Sequence, residues 1–124
     1  MEQGVERLAA MVLLLTCLSH IAAPNAWAEL FRRIDSSGDL AGILYAAIHL
    51  PLGLMIVAFH DVWSWPEIVV TLIGWALLLK GTLHLLIPSL ARRSIALAAD
   101  PKRYRLGGLL MLPLALAVGW IALR

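Results

Sequence analysis

Four long apolar runs follow one another along the chain, at about residues 7–23, 40–59, 66–88 and 105–122. The third run alone would give about 34 Å of α-helix, enough to cross a hydrocarbon core of about 30 Å with slight tilt. The connections between the runs are short, which leaves no room for a separate soluble domain. The pattern therefore predicts an all-α fold, a four-transmembrane-helix bundle that forms a single domain over residues 1–124.

The third run carries helix signals at both ends. Ser64 and Glu67 have the spacing of a capping box, and Pro66 is expected in the first helical turn, where its missing N–H costs nothing. Pro88 is expected to mark the far end of the helix.

A short amphipathic helix is predicted over residues 25–34, directly after the first span. Trp27 and Phe31 are four residues apart and are expected at the level of the lipid headgroups. Arg32 and Arg33 are expected to contact lipid phosphates. This helix is therefore interpreted as interfacial.

The first run precedes Ala26-Trp27-Ala28 and so imitates a signal peptide with its cleavage site. The leading segment holds Glu2 and Glu6 beside a single Arg7, however, where a signal peptide carries net positive charge. We therefore expect the first span to be retained.

Composition agrees with a membrane protein, since 61% of the residues are hydrophobic and 15% are charged. The pI near 9.1 does not indicate nucleic-acid binding, because the basic residues flank the spans and lipid phosphate is their expected partner. Seven Lys and Arg residues lie on the side of the first and third loops, and only Arg7 and Arg124 lie on the side of the termini. The positive-inside rule then predicts a multi-pass protein of the bacterial inner membrane, with both termini outside and the basic loops in the cytoplasm.

An internal repeat is predicted from two pairs of segments. HIAAP at 20–24 and HLLIP at 84–88 end the first and third spans, and LPLGL at 50–54 matches LPLAL at 112–116. Two crossings in each half make the halves parallel repeats, related by an axis along the membrane normal. The predicted halves are residues 1–62 and 63–124.

Polar side chains inside the spans are the candidate ligand-binding residues: His20, His49, Lys80 and His84. Lys80 either extends to the headgroups or acts as an interior cation, and His84 is either hydrated at the interface or part of a site. His49 lies deeper and needs a hydrogen-bond partner, either Thr71 or a backbone carbonyl.

The repeat would place His20 and His84 at the same depth, facing each other or a common cavity on the basic side. Thr16 is the counterpart of Lys80, so one wall would carry a hydroxyl and a thiol and the other a cation. An anionic headgroup or carboxylate is the favoured guest, with His49 at the deep end. Headgroup contacts are expected from Arg32, Arg33, Arg92 and Arg93, the last two near the mouth.

No cofactor is expected. Cys17 and His20 share a helix face but lack a second pair of ligands for zinc, and the single Cys17 excludes an internal disulfide. Haem held between His20 and His84 is the alternative considered. No phosphate loop, nucleophile elbow or zinc-protease motif is present, so the chain is not expected to be an enzyme.

The segment Gly74-Trp75, then Lys80-Gly81 and Pro88, follows the tryptophan-rich turn 61–65; Ser19-His20, Pro24 and Trp27 stand in the first half. This set resembles small bacterial four-helix membrane proteins without an assigned function, over most of the chain. A looser likeness is to DoxX-type four-helix proteins, in which a first helix also ends at a proline before an amphipathic stretch. The resemblance implies architecture only.

Three hypotheses for function follow from the sequence. The first is a binding or accessory protein for a lipid, an anionic small molecule or a partner membrane protein. The alternative is a small oligomeric transporter or proton-coupled carrier, and the third is a haem or redox protein. The expected partners are the lipid bilayer and a second copy of the chain or another membrane protein, with no nucleic acid.

Overall fold

The computed structural model describes all 124 residues and contains no strand. Its six helices are α1 (Glu2–Ala22), α2 (Pro24–Ser36), α3 (Ala41–Phe59), α4 (Ile68–Leu86), α5 (Pro88–Leu97) and α6 (Pro101–Ala122). A 3₁₀ turn, Gly38–Leu40, leads into α3. Four of the helices, α1, α3, α4 and α6, are long and apolar enough to cross a membrane. The predicted all-α fold with four candidate spans is therefore confirmed.

Helix ends differ from the predicted boundaries. The predicted capping box is wrong: Glu67 is the residue before α4, no side chain caps this helix, and Pro66 lies in the preceding turn. Helix α6 begins at Pro101 and not at 105, because the Asp100 carboxylate accepts a hydrogen bond from the Lys102 N–H and so caps the first turn. Helix α1 starts at Glu2, so the acidic leading segment belongs to the helix.

The third loop contains a helix that the hydropathy pattern does not reveal. Helix α5 begins at Pro88, just as α2 begins at Pro24, and in each case the chain leaves helical geometry for one residue before the proline. Proline favours the first turn of a helix and disfavours helical geometry in the residue before it. The two H-x-x-x-P segments therefore each end one helix and begin the next.

The long helices form two closely packed pairs, α1 with α6 and α3 with α4, which contact each other much less than their own members. Glycine permits the close approach within each pair. A Cβ at Gly74 would lie 2.4 Å from Ile56, and one at Gly108 would lie 2.8 Å from the Cys17 carbonyl oxygen. Small residues at such crossings are typical of helices that pack in lipid.

The two ends of the bundle have different cores. At the end that carries both termini and the 60–67 loop, here called the terminal end, buried aliphatic residues from both pairs pack together. The opposite end carries α2 and α5 and is here called the basic end. Its core is largely aromatic and includes Phe31, Tyr45 and Tyr104.

Helix α2 turns its apolar face toward the bundle. Phe31 is buried and Trp27 packs on rings of the protein, so both side chains face the bundle, and their position at the level of the headgroups stays a prediction. The predicted amphipathic helix is present with its apolar side on α3, α5 and α6. Its interfacial position in a membrane stays a prediction.

Candidate functional site

A cavity of about 460 Å³ lies in the basic half of the bundle, between the two helix pairs. Helices α1, α2, α3, α4 and α6 all contribute to its walls, which are mostly apolar. Near the cavity, the short helices α2 and α5 contact long helices of both pairs or of the neighbouring pair. Its polar side chains are few: Thr16, Cys17, His20, His49, Lys80, Arg103 and Tyr104.

One wall of the cavity is a group of aromatic rings. The Trp27, Phe31 and Tyr104 rings lie 24° from one another in plane, with centroids 5.7–6.4 Å apart. His20 stands edge-on to two of them, 4.5 Å from Trp27 and 5.1 Å from Tyr104. The Trp27 indole N–H donates to the Ser19 hydroxyl at 2.8 Å, which fixes this ring. Such edge and stacked pairs give the wall a defined shape.

The facing wall is built around Tyr45. The centroid of its ring lies 4.6 Å from that of His49 and 4.6 Å from that of His84. The Lys80 ammonium is 5.5 Å from the centroid of the same ring, within reach of a cation–π interaction. Tyr45 is buried and therefore holds a cation and two imidazoles in a fixed arrangement.

Hydrogen bonds determine which ring nitrogen carries the hydrogen in His49 and in His84. The Nδ1–H of His49 donates to the Tyr45 carbonyl at 2.9 Å, so Nε2 is its acceptor nitrogen and has no partner in the protein. The Nδ1–H of His84 donates to the Lys80 carbonyl, and Nε2 accepts from the Ser94 hydroxyl at 2.8 Å. Both nitrogens of His84 are thus occupied within the protein, which leaves none for a haem iron.

Two cations border the cavity, Lys80 from α4 and Arg103 from α6. Both are exposed residues, so they lie at its rim. Arg92 and Arg93, expected near the mouth, are exposed on α5 and do not line the cavity. The arginine at the rim of the cavity is Arg103.

The Tyr104 hydroxyl is buried and has no hydrogen-bond partner. The residue is only 9% exposed and lines the cavity. A buried polar atom without a partner costs about 1–3 kcal/mol, which is why such atoms are rare and indicate a missing partner. This hydroxyl is the one buried side-chain polar atom without a hydrogen-bond partner.

The structure brings together three of the four predicted ligand-binding residues, His20, His49 and Lys80, around one cavity. His84 packs on the Tyr45 ring and does not line the cavity, so it does not share this cavity with His20 as expected. Their binding role stays a prediction.

The aromatic residues Tyr45 and Tyr104 and the cation Arg103 were not predicted as site residues. Tyr45 precedes His49 by one helical turn, a spacing that places both side chains on one face. Tyr104 stands alone among basic residues, where an aromatic side chain signals a packed position.

The predicted headgroup residues of α2 are paired within the helix. Arg32 and Arg33 both bond to the Glu29 carboxylate, at 2.8 Å and 3.0 Å. Hydrogen bonds from these two side chains lower the pKa of Glu29. The two arginines on α5, Arg92 and Arg93, make no such pair.

A second polar cluster lies at the terminal end. His60 Nε2 is 3.1 Å from a Glu6 carboxyl oxygen, and Nδ1 is 2.9 Å from the Thr71 hydroxyl, which donates to the Val62 carbonyl at 2.8 Å. Glu6, His60 and Thr71 are all buried. Of the two partners expected for His49, Thr71 bonds to His60 instead, and the backbone carbonyl of Tyr45 is the one that His49 uses.

No group of three His, Cys, Asp or Glu side chains comes close enough to hold a metal ion. Comparisons with protein families, with curated proteins and with solved structures found no match to this chain.

Proposed function

We propose that this small membrane protein binds an amphipathic anion, a lipid or a small carboxylate with an apolar body, in the cavity at the basic end. The observation that carries the proposal is a mostly apolar cavity bordered by two cations, Lys80 and Arg103, beside which the Tyr104 hydroxyl is buried without a partner. A phosphate or carboxylate oxygen would accept from the hydroxyl and pair with the cations.

The walls favour an apolar body for such a ligand. A cavity of about 460 Å³ lies within the range of small-molecule sites, which are mostly apolar with a few polar groups that fix orientation. Because both cations lie at the rim, the anionic group is expected there and the apolar part deeper, toward Leu52 and Leu77. His49 Nε2 offers an acceptor for a donor group on the ligand.

The parallel repeat is proposed along with this function. It is supported by the pairing of helices, since exchanging the halves turns the α1–α6 pair into the α4–α3 pair and the α2–α6 contact into the α5–α3 contact. An exchange of this kind is a two-fold rotation along the bundle. The repeat would make the cavity a junction of two similar halves with different side chains at Thr16 and Lys80.

We further propose the membrane arrangement that the charges favour: both termini outside the bacterial inner membrane and α2 and α5 on the cytoplasmic side. Arg32, Arg33, Arg92 and Arg93 are all exposed there. Anionic lipid attracts such clusters by about 1 kcal/mol per basic residue. The cavity would then receive its ligand from the cytoplasmic leaflet.

Binding of a fluorescent long-chain carboxylate to the purified protein in nanodiscs tests the proposal. Lys80→Met should weaken binding about tenfold, which corresponds to about 1.4 kcal/mol, while Lys80→Arg keeps the charge and should bind nearly as well. The neutral amide of the same probe should bind weakly to the native protein. Equal binding of the carboxylate to native protein and to Lys80→Met would refute the proposal.

A proton-coupled carrier is the second candidate, and the buried Glu6 carboxyl favours it. Carriers of this kind place ionisable groups inside the bundle, and Glu6 together with His60 supplies one. Uptake of the same carboxylate into proteoliposomes, driven by a pH gradient, distinguishes transport from binding alone.

A further inference from the structure

We propose that Glu6 and His60, aligned by Thr71, form a proton-binding site that holds the two helix pairs together at the terminal end. Glu6 belongs to α1, His60 ends α3 and Thr71 belongs to α4, so the cluster connects one pair to the other. All three residues are at least 94% buried. The site lies at the opposite end from the cavity and needs no ligand there, so it goes beyond the proposed function.

The hydrogen bonds fix the number of protons at the site. Thr71 has one hydroxyl hydrogen, which goes to the Val62 carbonyl, so Thr71 can only accept from His60. His60 Nδ1 must therefore carry a hydrogen. The remaining contact, Nε2 to the Glu6 carboxyl oxygen, is a hydrogen bond only if one more proton lies between the two atoms.

One shared proton makes the pair electrically neutral. The proton rests either on Nε2, beside a Glu6 carboxylate, or on Glu6, beside a neutral His60 ring. A second proton, taken from water, would leave a buried positive charge without a counter-ion. Loss of the shared proton would leave the Nε2 lone pair facing a carboxylate. Both changes are unfavourable in a buried site, so the connection is strongest with one proton.

No other charged group of this end takes part in the cluster. Arg7 donates to the Ala122 carbonyl, Asp61 accepts from the Trp63 indole, and Glu67 pairs with Arg124 at 3.6 Å. Glu2 and the terminal amine of Met1 are on exposed residues. The charge on the pair therefore changes only with its own protons.

The cluster contributes more to the association of the two helix pairs in lipid than it would in water. Aliphatic side chains pack the rest of this end, and in a membrane such packing lacks a hydrophobic driving force because lipid tails are equally apolar. Polar contacts between helices then contribute specifically to holding the pairs together. A second proton on the cluster should let the α1–α6 pair move away from the α3–α4 pair at the terminal end.

Distances between spin labels in nanodiscs test this inference. Gln3 and Ser64, both exposed at the terminal end on different pairs, are replaced by labelled cysteines in a Cys17→Ser background. Asn25 and Ser89, both exposed at the basic end, form the control pair. Labels are attached first, and distances are measured at about pH 7 and about pH 4, a range that covers the ordinary titration of imidazole and carboxyl groups.

The expected result for the native cluster is a single short distance at neutral pH and a several-fold larger long-distance population in acid, reversed on neutralisation. The control pair should not change. The double variant Glu6→Gln/His60→Gln holds no group that takes up a proton, and its two amides can still hydrogen-bond to each other, so its label distance should not respond to acid. Glu6→Ala should show the long distance at both. The inference is overturned if the double variant responds to acid like the native cluster, or if neither does.

Discussion

Thr71 and Tyr104 both place a hydroxyl group between the helix pairs, one at the terminal end and one at the basic end. Thr71 accepts from His60 and donates to Val62, so its hydrogen-bonding capacity is used within the protein. Tyr104 has the same kind of group with no partner. The two ends therefore differ in that the Thr71 hydroxyl has hydrogen-bond partners within the protein, whereas the Tyr104 hydroxyl lacks one.

A similar contrast separates His60 from His20, although His84 at the basic end has both nitrogens bonded. Both nitrogens of His60 bond to side chains at the terminal end, whereas His20 at the basic end contacts rings and makes no hydrogen bond to the protein. Evolution can tolerate an unsatisfied buried group where a ligand completes it. This contrast supports the proposal that the basic end, and not the terminal end, holds the binding site.

The largest expected effect is on stability, from His60→Ala. This variant leaves the buried Glu6 carboxyl without its partner, and breaking a buried pair in this way costs about 3–5 kcal/mol. The matched variant His20→Ala loses only edge contacts with two rings, at about 0.5–1.5 kcal/mol each. Unfolding in mixed micelles, followed by circular dichroism, measures both. Equal losses would show that the two ends do not differ as described.

Smaller effects on the free energy of unfolding, different in direction, are expected when each of the two hydroxyl groups is removed. Thr71→Val should lower the free energy of unfolding by about 1–3 kcal/mol, because His60 Nδ1–H and the Val62 carbonyl lose their partner. Tyr104→Phe removes an unpaired group and should leave stability unchanged or raise it by about 1 kcal/mol. The same Tyr104→Phe variant should bind the fluorescent carboxylate several-fold more weakly. A large loss of stability in Tyr104→Phe would mean that its hydroxyl already has a partner.

The sequence predicts most of the fold because the bilayer leaves few alternatives. In lipid, the backbone N–H and C=O groups must hydrogen-bond to one another, and a single run of about 20 apolar residues can do this only as a helix. Hydropathy fails where the helix is polar, as in α5, and at helix starts, as at Asp100 and Pro101. A proline stands at the start of α5 and at the start of α6. Because Pro88 is the counterpart of Pro24, which precedes the predicted amphipathic helix, it was the available signal for α5.

The candidate sites depend on contacts that no local pattern contains. Glu6 and His60 are 54 positions apart, and nothing in the acidic leading segment indicates that the carboxyl turns inward. Lys80, His49 and His20 could be found because polar residues are rare inside apolar runs. Tyr45 and Tyr104 carry only weak signals, one helical turn before His49 and a position among basic residues, and only the packing shows that their rings surround the cavity.

The smallest expected effect concerns the surface of the basic end, where α2 and α5 differ. On α2 the Glu29 carboxylate forms ion pairs with Arg32 and Arg33. On α5, Arg92 and Arg93 have no acidic partner. Glu29→Gln should leave stability almost unchanged, because exposed ion pairs contribute little.

The free arginines of the Glu29→Gln variant should attract anionic lipid at low salt. We expect retention of phosphatidylglycerol during purification to rise modestly, and the increase to disappear at high salt as the charges are screened. The charge-removing variant Arg92→Gln, on α5, should lower retention instead. If Glu29→Gln retains no more lipid than the native protein while Arg92→Gln retains less, lipid contact belongs to α5 alone and the two short helices differ in function as well as in charge.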